Sequence, residues 1–95
     1  MVWQPIGAEA ACPTNTGTAT SFSSARFVRL QNIDAVGTEY LITLEQSDGT
    51  DIGSFKLDGQ QSCIIFKDSS DQIFAANANI LGVGVKVFPP HLHTV

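Results

Sequence analysis

Between Arg26 and Lys67 lie four short runs separated by three turn clusters, and in the first three apolar and polar residues alternate with a period of two. A period of two sends successive side chains to opposite faces of a pleated strand, so this stretch predicts β-structure. In RFVRLQN, Val28 and Leu30 share one face and Arg29 and Gln31 the other. In TEYLITLEQ, Tyr40, Ile42 and Leu44 oppose Glu39, Thr43 and Glu45, with Leu41 out of pattern and expected near an edge. In DIGSFKL, Phe55 and Leu57 oppose Ser54 and Lys56. The fourth run, QSCIIFK, is apolar on both sides, Cys63 and Ile65 against Ile64 and Phe66. Such a strand is central in a two-layer domain or packs against a second chain.

The separators are short. Ser47-Asp48-Gly49-Thr50 and Asp58-Gly59 read as tight reversals whose glycines supply a positive φ, and Asp34-Ala35-Val36-Gly37 is a slightly longer loop. A parallel return needs a crossover of about a dozen residues or more, so the four runs are expected to form an antiparallel meander.

The flanks are less regular. In MVWQPIG, Pro5 limits the segment to an edge strand, and Trp3 is expected to plug the core or anchor on a neighbour. Residues 8–24 are mostly Ala, Ser, Thr, Gly and Pro, with Phe22 the one large apolar side chain. This composition predicts a surface loop or an extended arm laid along another subunit. After Lys67, an irregular bend or single helical turn capped by Ser70 is expected over 71–76, with a short strand carrying Ile73 as the alternative. The last run, ILGVGVKVF, sets Leu81, Val83, Val85 and Val87 on one face, read as core. Gly82, Gly84 and Lys86 form a flat opposite face that a ring or backbone can approach. Pro89-Pro90 stops it.

With 95 residues, the chain predicts a single all-β domain, an antiparallel β-sandwich or partly closed barrel of about six to seven strands with an extended N-terminal arm. It divides into an N-terminal strand and arm (1–24), a β-domain (25–88) and a C-terminal tail (89–95). A domain of this size buries only about 60–65% of its unfolded surface, which leaves room for help from a partner. Side chains expected at an interface are Trp3, Phe22, Ile64, Phe66, Phe74 and Phe88.

Charge and motif content exclude several functions. Five Lys and Arg against nine Asp and Glu provide no clustered basic footprint for nucleic acid, and Arg26 and Arg29 read as a solvated face. No apolar run reaches the roughly 20 residues that span a bilayer, and no basic-then-apolar leader is seen, so a soluble protein made in a cytoplasm is expected. Cys12 and Cys63 then read as free thiols, with Cys63 packed as a small hydrophobe and a disulfide between the two as the alternative. His91 and His93 are two ligands without a third, and Asp48, Asp51 and Asp58 lack a calcium loop's ligand series. Gly82 and Gly84 are followed by neither Lys-Ser/Thr nor a helix start, and Glu39 and Glu45 look solvated. Neither catalysis nor a cofactor is expected.

FVRLQN, YLITLEQSDGTDIGSFKL and CIIFKDSSDQIFAANANILGVGV resemble a group of small proteins encoded by tailed phages, especially those of cyanobacteria. The resemblance covers about residues 26 to 88 and rests on turn and packing motifs. It implies a virion structural role, with decoration of the capsid surface foremost. Its implied partners are the major capsid protein and copies of the chain itself, a trimer being expected from the three-fold positions of capsid lattices. A tail or neck component is the alternative. So is a glycan- or host-binding module, although the loops offer almost no aromatic platform.

Overall fold

The computed structural model describes residues 2–88. These residues contain eight strands: β1 (Val2–Pro5), β2 (Ala10–Ala11), β3 (Phe27–Asn32), β4 (Tyr40–Glu45), β5 (Asp51–Leu57), β6 (Ser62–Phe66), β7 (Gln72–Ala75) and β8 (Ile80–Phe88). They form two antiparallel sheets, one ordered β1-β8-β3-β6 with β2 also on β8, the other ordered β5-β4-β7. The all-β two-layer reading is correct, and the sheets do not close into a barrel.

The meander is not what the turns build. Only β4 and β5 are neighbours in both sequence and sheet, joined through the Ser47–Thr50 turn with Gly49 at φ 91°. Both other connections cross from one sheet to the other, because β3 pairs with β6 and β8 while β5 pairs with β4 alone. The two crossings are stitched together. Asn32, fully buried, donates from Nδ2 to the carbonyls of Thr38 and Leu57 and accepts the Asp34 N–H at Oδ1. Gly59 is required for space rather than for φ, since a Cβ there would lie 1.9 Å from the Ala35 carbonyl oxygen. The positive φ of that turn falls on Gln60.

The core lies between the sheets, around Val28, Leu30, Ile42, Leu57, Ile73, Ala75 and Ile80, with Tyr40, Leu44, Phe55, Cys63 and Ile65 packed against it. Residues 71–76 do not make a helical turn. Asp68–Asp71 form a turn, and β7 follows as a strand, with Ile73 and Ala75 opposite Leu44 and Ile42 of β4. Burial of two alternate side chains in the core favours strand over a helical turn there.

In β8 the expected faces are exchanged. Gly82 and Gly84 lie opposite Leu30 and Val28, so the flat face is the core face. A ring does approach it: a Cβ on Gly82 would sit 2.6 Å from Cε1 and Cζ of Phe22. One on Gly84 would meet the Ala25 Cβ and the Phe22 carbonyl oxygen, each at 2.8 Å. Leu81, Val83, Val85 and Val87 therefore point away from the core, outside the larger sheet.

Residues 8–24 lie against the chain's own two sheets. Ala10 and Ala11 pair with β8, a 3-10 turn spans Thr16–Thr18, and Thr20 exchanges backbone hydrogen bonds with Ile73. Phe22, Ser23 and Ser24 all have φ between 53° and 60°, a single left-handed turn that delivers the Phe22 ring to Gly82. Left-handed backbone costs about 1–2 kcal/mol per non-glycine residue. Glu45, expected in solvent, is fully buried where Thr16 Oγ1 donates to its Oε2 at 2.7 Å. Its Oε1 has no partner among the described residues.

A candidate interaction surface

The alternation that buries Val28 and Leu30 turns Phe27, Arg29 and Gln31 outward, and β6 and β8 add their outer residues in register. One row runs across four strands as Pro5, Val85, Phe27 and Phe66. The next holds Val83, Arg29 and Ile64, and Trp3 opposite Val87 extends the apolar side beyond the first. The Phe27 and Phe66 rings meet edge to face at 5.4 Å, a favourable arrangement. Val83 and Val85 are only 5% and 2% exposed although, among the described residues, no second layer covers them. Their cross-strand neighbours shield them. Arg29 reaches 5.6 Å from the centroid of the Trp3 ring and bonds Glu9 Oε2 at 3.2 Å, so guanidinium, indole and carboxylate meet on this face. At the margin the face opens: Trp3 is 41% and Phe66 59% exposed.

Of the six side chains expected at an interface, three gather here: Trp3, Ile64 and Phe66. Phe22 is spent inside the domain, against Gly82. Phe74 lies half-buried in β7 of the other sheet. Phe88, at the end of β8, borders an open groove of about 460 Å³ with Ile6, Arg26 and Lys86. Residues read as core from sequence, above all Val85 and Val87, and Arg29, read as simply solvated, belong to the same face. The signal for them was Phe27-x-Arg29 set beside Val83-x-Val85, visible only once β3 and β8 are known to pair.

Compared with known families, curated proteins and solved structures, the chain matches none.

The larger sheet ends in β6, whose two faces are both apolar, so it is an edge strand and not a central one. The Lys67 N–H donates to the Arg26 carbonyl and the Asn32 N–H to the Gln61 carbonyl. Inward hydrogen bonds in an antiparallel ladder fall on alternate residues, so 63 and 65 bond towards β3 while the backbone groups of Ser62, Ile64 and Phe66 face outward. Lys67 does not guard this edge. It is buried, with Nζ donating to the carbonyls of Asp68 and Ser69, and burial lowers its pKa against the opposing pull of Asp71 and Asp68.

The polar groups elsewhere serve the turns. Asp48 accepts the Thr50 N–H and Asp58 those of Gly37 and Gly59. Asp34 accepts from Tyr40 Oη at 2.6 Å, the Ala35 N–H and Asn79 Nδ2. Those bonds, Tyr40's first, hold the Asp34 carboxyl below its usual range, and the same bond raises the Tyr40 phenol. Both thiols are free. Burial pushes Cys12 up to about 12 and raises Cys63, so neither is poised as a nucleophile. His91 and His93 lie outside the described residues.

Proposed function

We propose that this protein is a structural component of a tailed-phage particle, a capsid decoration protein that associates with copies of itself and with the major capsid protein. The observation that carries the reading is the outer face of the larger sheet. A domain of 95 residues has one apolar face in its core and a second, with Trp3 and Phe66 exposed at its margin beside half-buried Phe27 and Ile64, that no second layer covers among the described residues. Exposed apolar surface of this kind marks association, and the resemblance over residues 26–88 supplies the particle as its setting. In this reading the rigid two-layer body spans neighbouring shell subunits, and the outer face takes the contact.

The test is reconstitution with localisation. The purified chain is mixed with capsid shells of a tailed cyanophage stripped of decoration, and the particles are pelleted and imaged by electron microscopy. Density on the shell surface is expected, together with a shell that resists higher temperature. Trp3→Ala/Phe66→Ser should lose shell binding while keeping the circular dichroism spectrum of the parent. Binding confined to the tail or neck, or none to any part of the particle, would overturn the reading.

A further inference from the structure

Among the described residues, three of the four sheet edges are protected and β6 is not. β5 carries Asp51 and Lys56, and its pairing is irregular where Leu44 and Glu45 meet it. β7 is covered by Thr20 and Pro13, and β1 is four residues long with Pro5 at its end. Charge, proline, irregular pairing and cover are the usual means of keeping an edge from recruiting another strand. β6, Ser62-Cys63-Ile64-Ile65-Phe66, has none of them among the described residues.

We infer that β6 pairs with β6 of a second copy, antiparallel about a two-fold axis through Ile64, joining the two five-stranded sheets into one. The inference rests on the self-association proposed above and names its edge and register. The register follows from the backbone. Outward groups fall on Ser62, Ile64 and Phe66, and a two-fold centred on Ile64 sets Ile64 against its own copy and Ser62 against Phe66 of the other. All three then become hydrogen-bonded pairs, for about six ladder bonds. Opposed side chains also match: Ile64 meets Ile64 on the outer face, and Cys63 meets Ile65 on the inner. No charge is placed against a charge.

A stable pair takes about 600 Å² from each partner at the low end, about a ninth of the 5435 Å² this chain exposes. β6 and the rim of the outer face, with Phe66 59% exposed, lie together on that side. A hydrophobic peptide strand from another protein would satisfy the hydrogen bonds but not the self-matched register, which favours the second copy. The elementary contact is then two-fold, and three-fold clustering would use the outer face.

Disulfide trapping reads the register directly. Opposed residues of a hydrogen-bonded pair have Cα atoms about 5.5 Å apart, inside the span of about 4.4–6.8 Å a disulfide requires. In a Cys63→Ala background, with Cys12 left buried, Ile64→Cys should give a covalent dimer on mild oxidation. Ser62→Cys or Phe66→Cys alone should not, because each would lie about 14 Å from its own copy. The two mixed together should cross-link to each other. Sedimentation of the unaltered chain at micromolar concentration should show at least a dimer. Ile64→Pro, which removes an outward N–H at an edge position that tolerates proline, and Ile64→Lys should each lower the mass of the assembly without changing the circular dichroism spectrum. An oligomer without the Ile64 cross-link would overturn this edge and leave self-association standing. A monomer would overturn both. A monomer whose shell binding is abolished by Ile64→Pro would assign the edge to a strand of the shell protein instead.

Discussion

Replacing Gly82 by alanine tests the packing of the N-terminal segment on β8. The new methyl would sit 2.6 Å from two carbons of the Phe22 ring and 3.2 Å from Leu30 Cδ2, where carbon pairs prefer about 3.5–4.0 Å. The ring must therefore retreat by about 1 Å. It has little freedom to do so, because Phe22 has a left-handed backbone and its carbonyl accepts the Ala25 N–H. Overpacking of this order costs about 1–3 kcal/mol, and in a domain of this size each kcal/mol lowers Tm by about 4–8 °C. Thermal unfolding of Gly82→Ala should thus show a Tm lower by roughly 5–20 °C. A double-mutant cycle makes the cause specific. Phe22→Ala alone removes the ring and costs about 3 kcal/mol, the low end for a half-buried phenylalanine. In that background Gly82→Ala should cost almost nothing, leaving a coupling energy above about 1 kcal/mol. Full additivity, or a Gly82→Ala protein as stable as its parent, would refute the placement of the ring.

Asn32→Ala should lower stability by about 1–3 kcal/mol for each buried group left unpaired, the carbonyl of Leu57 first, measured by urea unfolding. Tyr40→Phe should raise the Asp34 pKa in an NMR titration, since the tyrosine bond is the largest cause of its depression. A depressed carboxyl stabilises the fold above its unfolded pKa and loses that contribution as pH falls, so the variant should lose less stability on acidification than its parent. Cys12, at about 12 when folded, should resist a thiol reagent at pH 8 until the chain is unfolded. Because its unfolded thiol deprotonates first, stability should fall as pH rises from about 9 towards 12, and Cys12→Ala should flatten that slope.

The alternation in Val28–Leu30, Ile42–Leu44 and Phe55–Leu57 showed the strands and, for these residues, the correct inner face, because each of those strands has one polar side. β8 misled for a physical reason. Its larger side chains face outward, and the space over its glycines is filled by a ring sixty positions earlier in the chain, which a local pattern does not register. Turn residues likewise report that the chain reverses, not which sheet receives it. Asp34–Gly37 and Asp58–Gly59 have the chemistry of hairpins yet serve as crossings, since Asn32 and the Gly59–Ala35 approach tie the two layers together there. Of the candidate surface, Trp3, Ile64 and Phe66 were legible as apolar residues out of place. The rows joining them depend on pairing between β1, β8, β3 and β6, which are distant in sequence.

The order of strands in the larger sheet also dictates when it can exist. β8 joins β1 and β2 to β3, and only the β3–β6 pair can form without it. A ribosome releases β8 last of the eight, so β1 and β2 have no strand to pair with, and Val28 and Leu30 lack their glycine neighbours, until β8 has emerged. The smaller sheet is complete earlier, once β7 has emerged. Any cleavage or premature stop ahead of β8 would therefore leave a half-assembled chain with bare oily strands, a natural substrate for chaperones and proteases.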